Sequence, residues 1–323
     1  MKPNLQQHLW SIVLAGGEGE RLRPYVERVL GHRKPKQYCA FTGKRSMFQH
    51  TLDRADRIAP ARRRVTVIAR SHRAEALSQL LGRESGEIIL QPENRDTAAG
   101  VLLPLAHVLV RDPAATVIVY PSDHFIYPSG RFTAIAESAA SAAELMPGRL
   151  VLIAAAPDHN ESDYGWLRIG PRHGVFGGHA LFAVEGFAEK PGPEEAQRLL
   201  RSGALWNTFI FAARADTLWK LCRMAVPDVV EMFEPYRAMI GTPLEESARF
   251  ILYERMPVRN FSSAVLARFP KIFSVLMMQG VLWSDWGREE RISETLRQIG
   301  KQPHLPVEIE TAESNPRTLS AAV

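Results

Sequence analysis

The chain has 323 residues, 46% of them hydrophobic, which allows one large α/β domain or two smaller ones with a full apolar core. The net charge of +5 is spread out; its one dense cluster, Arg62, Arg63 and Arg64, has no aromatic residues among its cations and indicates a solvated surface rather than a nucleic-acid site. No apolar run reaches the ~20 residues of a membrane helix and the two cysteines make no disulfide or metal pattern, so we expect a cytoplasmic protein that binds neither membranes nor nucleic acids.

Short apolar runs and amphipathic stretches alternate through the first half of the chain. The runs predict strands at 11–14, 65–69, 87–90, 116–120 and 150–155. The stretches predict helices at 46–58, 73–81, 97–110 and 131–145, with Ser46 and Thr97 as N-caps and a kink at Pro104. This alternation indicates an α/β fold with a doubly wound, mixed but mostly parallel sheet. Ligands of such sheets lie beyond the carboxyl ends of the strands.

The pattern changes from about residue 165. Runs at 166–169 and 180–187 predict strands of a smaller antiparallel or mixed insertion. Helices are predicted at 193–201, 214–224, 227–239 and 244–253, followed by a strand at 273–277 and a helix at 289–299. There is no repeat and no long linker. We therefore expect one domain over 10–300, between a loose N-terminal extension at 1–9 and a polar tail at 301–323.

A glycine-rich loop follows the first predicted strand, and two cations follow the loop. Glycines let backbone N–H groups approach a ligand closely, and a concavity of such groups suits phosphate oxygens. The loop lacks the Lys-Ser/Thr pair of a P-loop, and Pro24 interrupts the helix that a dinucleotide fingerprint needs. The residues concerned are Leu14, Ala15, Gly16, Gly17, Gly19, Arg21 and Lys36.

Polar side chains follow other strand ends. The segment Gln91-Pro92-Glu93-Asn94-Arg95-Asp96-Thr97-Ala98 offers amides and a hydroxyl at a helix start, where they can bind a base edge and a ribose, although a capped helix start alone would explain them. Asp123, in Ser122-Asp123-His124, and the distant Asp285 are lone carboxylates after strands. Mg²⁺ takes one or two carboxylates and completes its shell with phosphate oxygens and water. We therefore expect these two carboxylates to share one divalent cation, with His124 as a structural hydrogen-bonding partner.

An acid and a base stand side by side in Glu189-Lys190-Pro191. Successive strand side chains point to opposite faces, so both can serve one ligand only where the strand breaks, as Pro191 requires.

Together these segments resemble the signature of the sugar-1-phosphate nucleotidyltransferases, most closely their mannose-1-phosphate guanylyltransferase branch. The resemblance spans 10–299 and implies a Rossmann-like, glycosyltransferase-A-like catalytic domain with a β-rich sugar-binding insertion. It implies catalytic roles for Arg21, Lys36, Asp123 and Asp285. The nucleotide would contact Leu14, Ala15, Gly16, Gly17, Gly19, Arg21, Lys36, Gln91, Pro92, Asn94, Thr97, Ala98 and Ser122. The sugar phosphate would contact Tyr164, Gly165, Glu189, Lys190 and Asn207, with Trp206 either in this pocket or in the core.

The implied reaction joins a nucleoside triphosphate to a sugar 1-phosphate and releases pyrophosphate, with Mg²⁺ on Asp123 and Asp285 as cofactor. The resemblance favours GTP and mannose 1-phosphate. Thymidylyl or uridylyl transfer to glucose-type phosphates and a non-catalytic nucleotide-sugar sensor stay open as alternatives. A homo-oligomer is compatible with the sequence, which does not fix the number of subunits.

Three segments differ from the sequence motifs that are usual in the family. Glu20 stands in the glycine loop where the family commonly has threonine, and we expect its carboxylate to point outward, because it would repel phosphates. Phe209 replaces the glycine of the common Trp-Asn-x-Gly word, which suggests a reshaped sugar pocket. Ser262 and Ala267 stand where the guanylyltransferase word carries carboxylates.

Overall fold

The computed structural model describes residues 5–301. Its strands are β1 (Leu9–Ala15), β2 (Arg64–Ala69), β3 (Glu87–Gln91), β4 (Thr116–Pro121), β5 (Phe125–Tyr127), β6 (Leu150–Ala155), β7 (Gly165–Phe176), β8 (His179–Glu189), β9 (Leu205–Arg214), β10 (Phe273–Met277) and β11 (Leu282–Ser284). Within these residues nine strands form one sheet in the order β3-β2-β1-β4-β9-β6-β10-β8-β7, and β5 pairs with β11 in a second, two-stranded sheet.

Helices cover both faces of the large sheet. They are α1 (Leu5–His8), α2 (Arg23–Leu30), α3 (Met47–Asp56), α4 (Arg73–Ser78), α5 (Asp96–Arg111), α6 (Ser129–Leu145), α7 (Pro193–Arg201), α8 (Ala215–Ala225), α9 (Pro227–Arg237), α10 (Glu245–Arg255) and α11 (Glu289–Gln298). None of these helices combines the length and the apolar character that crossing a bilayer would require. Successive residues of β1 serve different cores: Ile12 packs with α5, α8 and α9 on one face, and Val13 packs with α3 and α6 on the other. A continuous apolar run is therefore needed here, because both faces of the strand are buried.

The predicted mixed, mostly parallel sheet is confirmed. Strands β3, β2, β1 and β4 pair in parallel, as do β6 and β10. Between them lies β9, antiparallel to both β4 and β6, in a region where no strand was predicted. The apolar run of β9 was interpreted only as part of a pocket, and its direction depends on partners distant in sequence. Strands β7 and β8 form the expected insertion as a long antiparallel hairpin that also pairs with β9 and β10.

Several predicted bounds need correction. Residues 5–8, predicted to be loose, form a helical turn instead, and β1 begins at Leu9, while 1–4 lie outside the described residues. Nearly all of the predicted tail, 302–323, also lies outside them. The predicted cap at Ser46 is confirmed: its hydroxyl accepts from the N–H of Gln49, whose side chain in turn accepts from the Ser46 N–H. The predicted cap at Thr97 is wrong, because α5 begins one residue earlier at Asp96.

The two-stranded sheet brings the two predicted metal-binding carboxylates into one region. Strand β5 begins two residues after Asp123, and Asp285 comes directly after β11. The strands are antiparallel, with Phe125 opposite Ser284, so the chain ends that carry the two carboxylates lie at the same end of this sheet. The N–H of Ser122 also donates to the carbonyl of Leu14 at 3.0 Å, which joins this region to the start of the glycine loop.

Candidate active site

The glycine loop joins β1 to α2, and two features fix its shape. Gly19 has φ of 64°. A Cβ there would lie 3.2 Å from the backbone N of Lys36, so both conformation and close approach favour glycine. Gln37 holds the preceding residues, because its Nε2 donates to the carbonyls of Ala15 at 3.2 Å and Gly17 at 2.8 Å. Sequence analysis assigned no role to Gln37, although a side-chain amide beside a glycine loop can donate to its carbonyls.

Lys36 links the two predicted catalytic carboxylate residues. Its side chain is buried, and Nζ lies 2.7 Å from Asp123 Oδ2 and also donates to the backbone carbonyl of Asp285. Burial alone would raise the pKa of Asp123, but the charge and hydrogen bond of Lys36 outweigh it, with a smaller contribution from His124, and hold that pKa below its usual value. Asp123 is therefore ionised at neutral pH, and about a third of its side chain (36%) stays exposed for a ligand.

Asp285 is saturated on one of its two carboxylate oxygens. Oδ1 accepts from the Tyr164 hydroxyl at 2.8 Å, from the Gly287 N–H at 2.9 Å and from Arg291 Nη1 at 2.7 Å. Oδ2 accepts from Arg21 Nη2 at 2.9 Å. Burial would raise the pKa of Asp285, but the surrounding cations and the tyrosine bond outweigh burial and hold it far below its usual range. The carboxylate keeps acceptor capacity only on Oδ2.

Arg291, on α11, is a site residue that sequence analysis missed. It is 8% exposed, its guanidinium lies 4.6 Å from the centroid of the Tyr164 ring, and it also binds the carboxylates of Glu161 and Asp163. It therefore ties α11 and the loop before β7 to Asp285. Its local sequence, between acidic residues of an amphipathic helix, resembles a solvated helix face, so no local signal identifies it.

His124 supports the site from behind Asp123. The Trp283 indole N–H donates to its Nδ1 at 3.2 Å, which assigns the remaining ring proton to Nε2 in the neutral form. Burial lowers the pKa of His124 to about 4, so the ring is neutral at physiological pH. Its Nδ1 already accepts a hydrogen bond, which favours the predicted structural role.

A cavity of about 300 Å³ lies between the glycine loop, the start of α5 and β9. The predicted nucleotide contacts that line it are Leu14, Gly16, Gly17, Gln91, Asn94, Thr97 and Ser122, together with Asp123. Thr97 Oγ1 accepts from the Phe261 N–H at 2.7 Å, so this residue ties the start of α5 to the loop after α10. Ala98 is buried outside the lining, with its N–H bound to the carbonyl of Arg259. The other predicted nucleotide contacts that lie outside the lining are Ala15, Gly19, Arg21, Lys36 and Pro92.

The predicted sugar-phosphate contacts meet where β7, β8 and β9 pair. Gly165 stands opposite Glu189 on one side and Asn207 on the other, and a Cβ at Gly165 would lie 2.9 Å from Glu189 Oε2. Strand β8 ends at Glu189 and Lys190 has φ of 47°, so the predicted strand break is confirmed. Burial raises the pKa of Glu189, the charge of Lys190 opposes the rise, and Asp96 adds to it.

The structure shows the surroundings of Trp206 and Glu20. Trp206 is 5% exposed and packs edge-on against Tyr164 within the core, so the core interpretation is confirmed. Glu20 pairs with Arg23 and keeps 60% of its side chain exposed, so its carboxylate points outward as predicted.

The sequence of the chain matches a known protein family. Residues 10–302 match the family model described as nucleotidyl transferase. The chain belongs to the nucleotidyl transferase family. The family indicated by the sequence motifs is therefore confirmed.

The chain is 31% identical over 293 residues to a mannose-1-phosphate guanylyltransferase of Escherichia coli (strain K12), covering 87% of this chain and 58% of that protein. It is 33% identical over 223 residues to the xanthan biosynthesis protein XanB of Xanthomonas campestris pv. campestris (strain B100), covering 68% and 45%. The chain thus spans about half the length of the curated relatives it matches. The crystal structure of a mannose-1-phosphate geranyltransferase from Thermus thermophilus superposes with a TM-score of 0.74 and 28% identity, covering 89% of this chain and 79% of that one.

Proposed function

We propose that this nucleotidyl transferase joins a nucleoside triphosphate to a sugar 1-phosphate, with GTP and mannose 1-phosphate favoured, and releases pyrophosphate. The observation that carries the proposal is the contact of one buried ammonium, that of Lys36, with both Asp123 and the backbone of Asp285, directly beside the glycine loop. The name of the Escherichia coli relative supports the choice of base and sugar.

The cavity accommodates the nucleoside triphosphate. The glycine loop supplies backbone N–H groups for the phosphates. Gln91, Asn94 and Thr97 supply amides and a hydroxyl for the base and ribose, and Leu14 and Val67 contribute apolar side chains to the same cavity wall. The sugar 1-phosphate would then bind beside Glu189, Lys190 and Asn207, with the acid on sugar hydroxyls and the ammonium on the phosphate.

The chemistry requires alignment and charge neutralisation more than proton transfer. A sugar phosphate with a second pKa near ~6 is largely dianionic at neutral pH, so it needs no general base to attack the α-phosphorus. In-line attack breaks the bond between the α- and β-phosphates, and pyrophosphate leaves with that electron pair. The cations available to hold two polyanions together are Arg21 and Lys36 on one side and Lys190 on the other.

The donor set also fits a divalent cation. Asp123 Oδ1 lies 3.8 Å from His124 Nε2, and Asp285 retains acceptor capacity on Oδ2. Within residues 5–301 no group of three or more His, Cys, Asp or Glu side chains forms a metal site. Two carboxylates completed by phosphate oxygens and water suit Mg²⁺. When bound there, such an ion would supply positive charge to the reacting phosphates.

A pyrophosphate-release screen tests the proposal. Four nucleoside triphosphates are each combined with several sugar 1-phosphates in the presence of Mg²⁺, and the pair with the highest kcat/KM identifies base and sugar. We expect Lys36→Met and Asp123→Asn to lower kcat about 100-fold or more, the scale of losing one preorganised charge contact. Lys220→Met and Asp228→Asn are matched controls at exposed positions on α8 and α9, and they should leave kcat unchanged.

Each alternative has its own outcome in this screen. A preference for UTP or dTTP with glucose 1-phosphate would replace the favoured substrates but keep the reaction. No pyrophosphate from any combination, with folded protein, would contradict catalysis and favour a nucleotide-sugar sensor.

A further inference from the structure

Left-handed backbone conformations of non-glycine residues are concentrated at the candidate site. Within residues 5–301 they occur at Asp96, Lys190, Phe209 and Trp286. The first starts α5, the second ends β8 and the last follows Asp285. Such conformations persist only where the surrounding structure enforces them. Phe209, with φ of 58°, lies inside β9, and the proposed function assigns it no role.

A bulge in β9 enforces this conformation. Ile153 of β6 stands opposite Ile210 and Ala154 opposite Asn207, so Thr208 and Phe209 have no partner residue on β6. The bulge is built from hydrogen bonds: the Phe209 N–H donates to Asn207 Oδ1 at 3.2 Å, and the Thr208 hydroxyl donates to the carbonyl of Ile153. A phenylalanine in the left-handed region is a strained choice, since glycine would adopt it without steric conflict.

The bulge places the phenyl ring in the cavity wall. The sequence suggested that Phe209 reshapes the sugar pocket, but in the structure it lines the cavity together with Gln91, Asn94 and Thr97, the residues proposed to hold the nucleoside. Its ring packs edge-on against Phe261 at 5.6 Å between centroids, and the N–H of Phe261 holds Thr97. Phe261 is completely buried whereas Phe209 is only partly buried, so the Phe209 ring keeps surface available to a ligand.

We propose that Phe209 is a specificity-determining residue for the nucleoside half of the substrate. The inference rests on the proposed function and deepens it. The ring provides an apolar wall against which a flat nucleobase packs, and it occupies space that would otherwise admit other bases. Discrimination between nucleoside triphosphates therefore depends on the size of the side chain at this position, and recognition of the sugar 1-phosphate does not.

Equilibrium binding of nucleoside triphosphates tests this without turnover. Calorimetric titrations with Mg²⁺ but no sugar phosphate give the Kd ratio between the preferred nucleotide and the next best among GTP, ATP, CTP, UTP and dTTP. We expect Phe209→Ala and Phe209→Gly to reduce this ratio at least tenfold, since apolar pockets discriminate by tenfold or more through small differences in volume. Phe209→Leu, which keeps most of the bulk, should retain more of the ratio than either.

The alanine and glycine variants separate the ring from the backbone strain. Both remove the ring, but only glycine relieves the left-handed conformation. If the ring sets specificity, the two variants have similar ratios. Phe250→Ala is the matched control, because that ring lies on α10 against Arg70 and outside the cavity lining, and it should keep the wild-type ratio.

Three results would overturn the inference: an unchanged ratio in the alanine and glycine variants, a change in the glycine variant alone, or a steady-state effect confined to the KM for sugar 1-phosphate. Should alanine prevent folding, the strain-free glycine variant and the leucine variant decide the question. Wild-type protein that binds no nucleotide would contradict the proposed function as well. Wild-type protein that binds nucleotides with a ratio insensitive to position 209 would contradict this inference alone.

Discussion

Replacing Arg291 with methionine tests whether the buried charges around Asp285 stabilise the site. The guanidinium is 8% exposed and binds Asp285 at 2.7 Å, as well as Glu161 and Asp163. Removing one partner of a buried ion pair leaves the other charge uncompensated, which typically destabilises by about 3–5 kcal/mol. Because Asp285 keeps its other three donors, we expect a loss near the lower end, about 3 kcal/mol. For a chain of 323 residues, with an unfolding entropy of about 2.1 cal/mol/K per residue, that corresponds to a decrease in Tm of about 4 °C.

Urea unfolding at several pH values measures the decrease in unfolding free energy caused by Arg291→Met and shows whether it arises from the charge of Asp285. The folded-state pKa of Asp285 is held below its unfolded value of about 3.9. Its contribution to stability is therefore fully present above pH ~4 and is lost as the pH falls towards the folded pKa. The pKa of Glu161 is also lowered, so it acts in the same direction. We expect the difference in unfolding free energy between wild type and Arg291→Met to be constant at neutral pH and to narrow below pH ~4.

Arg288→Met is the matched control. Arg288 precedes α11, pairs with Asp163 and keeps 56% of its side chain exposed, so its loss should be under about 1 kcal/mol. Equal losses for the two variants would refute the argument that burial makes the Arg291 contact important. A loss for Arg291→Met that is as large at pH 3 as at pH 7 would also refute it, because packing over Tyr164 would then account for the effect.

Two further predictions concern the same region. Glu20→Thr should change kcat by less than about fivefold, because the exposed ion pair of Glu20 with Arg23 contributes at most about 1 kcal/mol. A hundredfold increase in kcat would show instead that the Glu20 carboxylate faces the phosphates. His124→Gln should remove a pH dependence of stability, because burial lowers the folded-state pKa of His124 to about 4. In EDTA, the unfolding free energy of the wild-type protein should fall by up to about 3 kcal/mol as the pH falls from ~6.5 to ~4. The unfolding free energy of the variant should fall by less over that range. A variant with the same pH slope in urea unfolding would contradict this account of His124.

The successful sequence predictions depend on which segments directly follow a strand and on one rule of sheet topology. The glycine loop and the segments containing Gln91 and Asp123 each follow a strand, and the carboxyl ends of parallel strands meet at one edge of the sheet. That rule brings these segments together without any knowledge of contacts. Asp285 follows a strand of the small sheet instead, and its pairing with Asp123 was predicted from the ligand preference of Mg²⁺ and from the family resemblance, not from this rule.

The features that sequence reasoning missed depend on contacts between distant segments. The direction of β9 is fixed by its pairing with β4 and β6, and no pattern in the β9 sequence identifies these neighbours. Arg291 carries the local signature of a surface helix, and only the carboxylates of Glu161 and Asp285 make its burial favourable. Thr97 was interpreted as a cap because its type and position fit one; in the structure its hydroxyl oxygen accepts from Phe261, 164 residues away.

Arg21 shows how one side chain can satisfy both the sequence prediction and the structure. The sequence predicts a phosphate contact, whereas the structure places Nη2 on Asp285 Oδ2 at 2.9 Å and Nη1 3.6 Å from Asp163. These roles are compatible, because a guanidinium carries five N–H donors and 54% of this side chain is exposed. Arg21 can therefore bind a phosphate oxygen with its remaining donors while it orients Asp285. Under the proposed function, the same cation would position both a phosphate of the nucleotide and the carboxylate of Asp285.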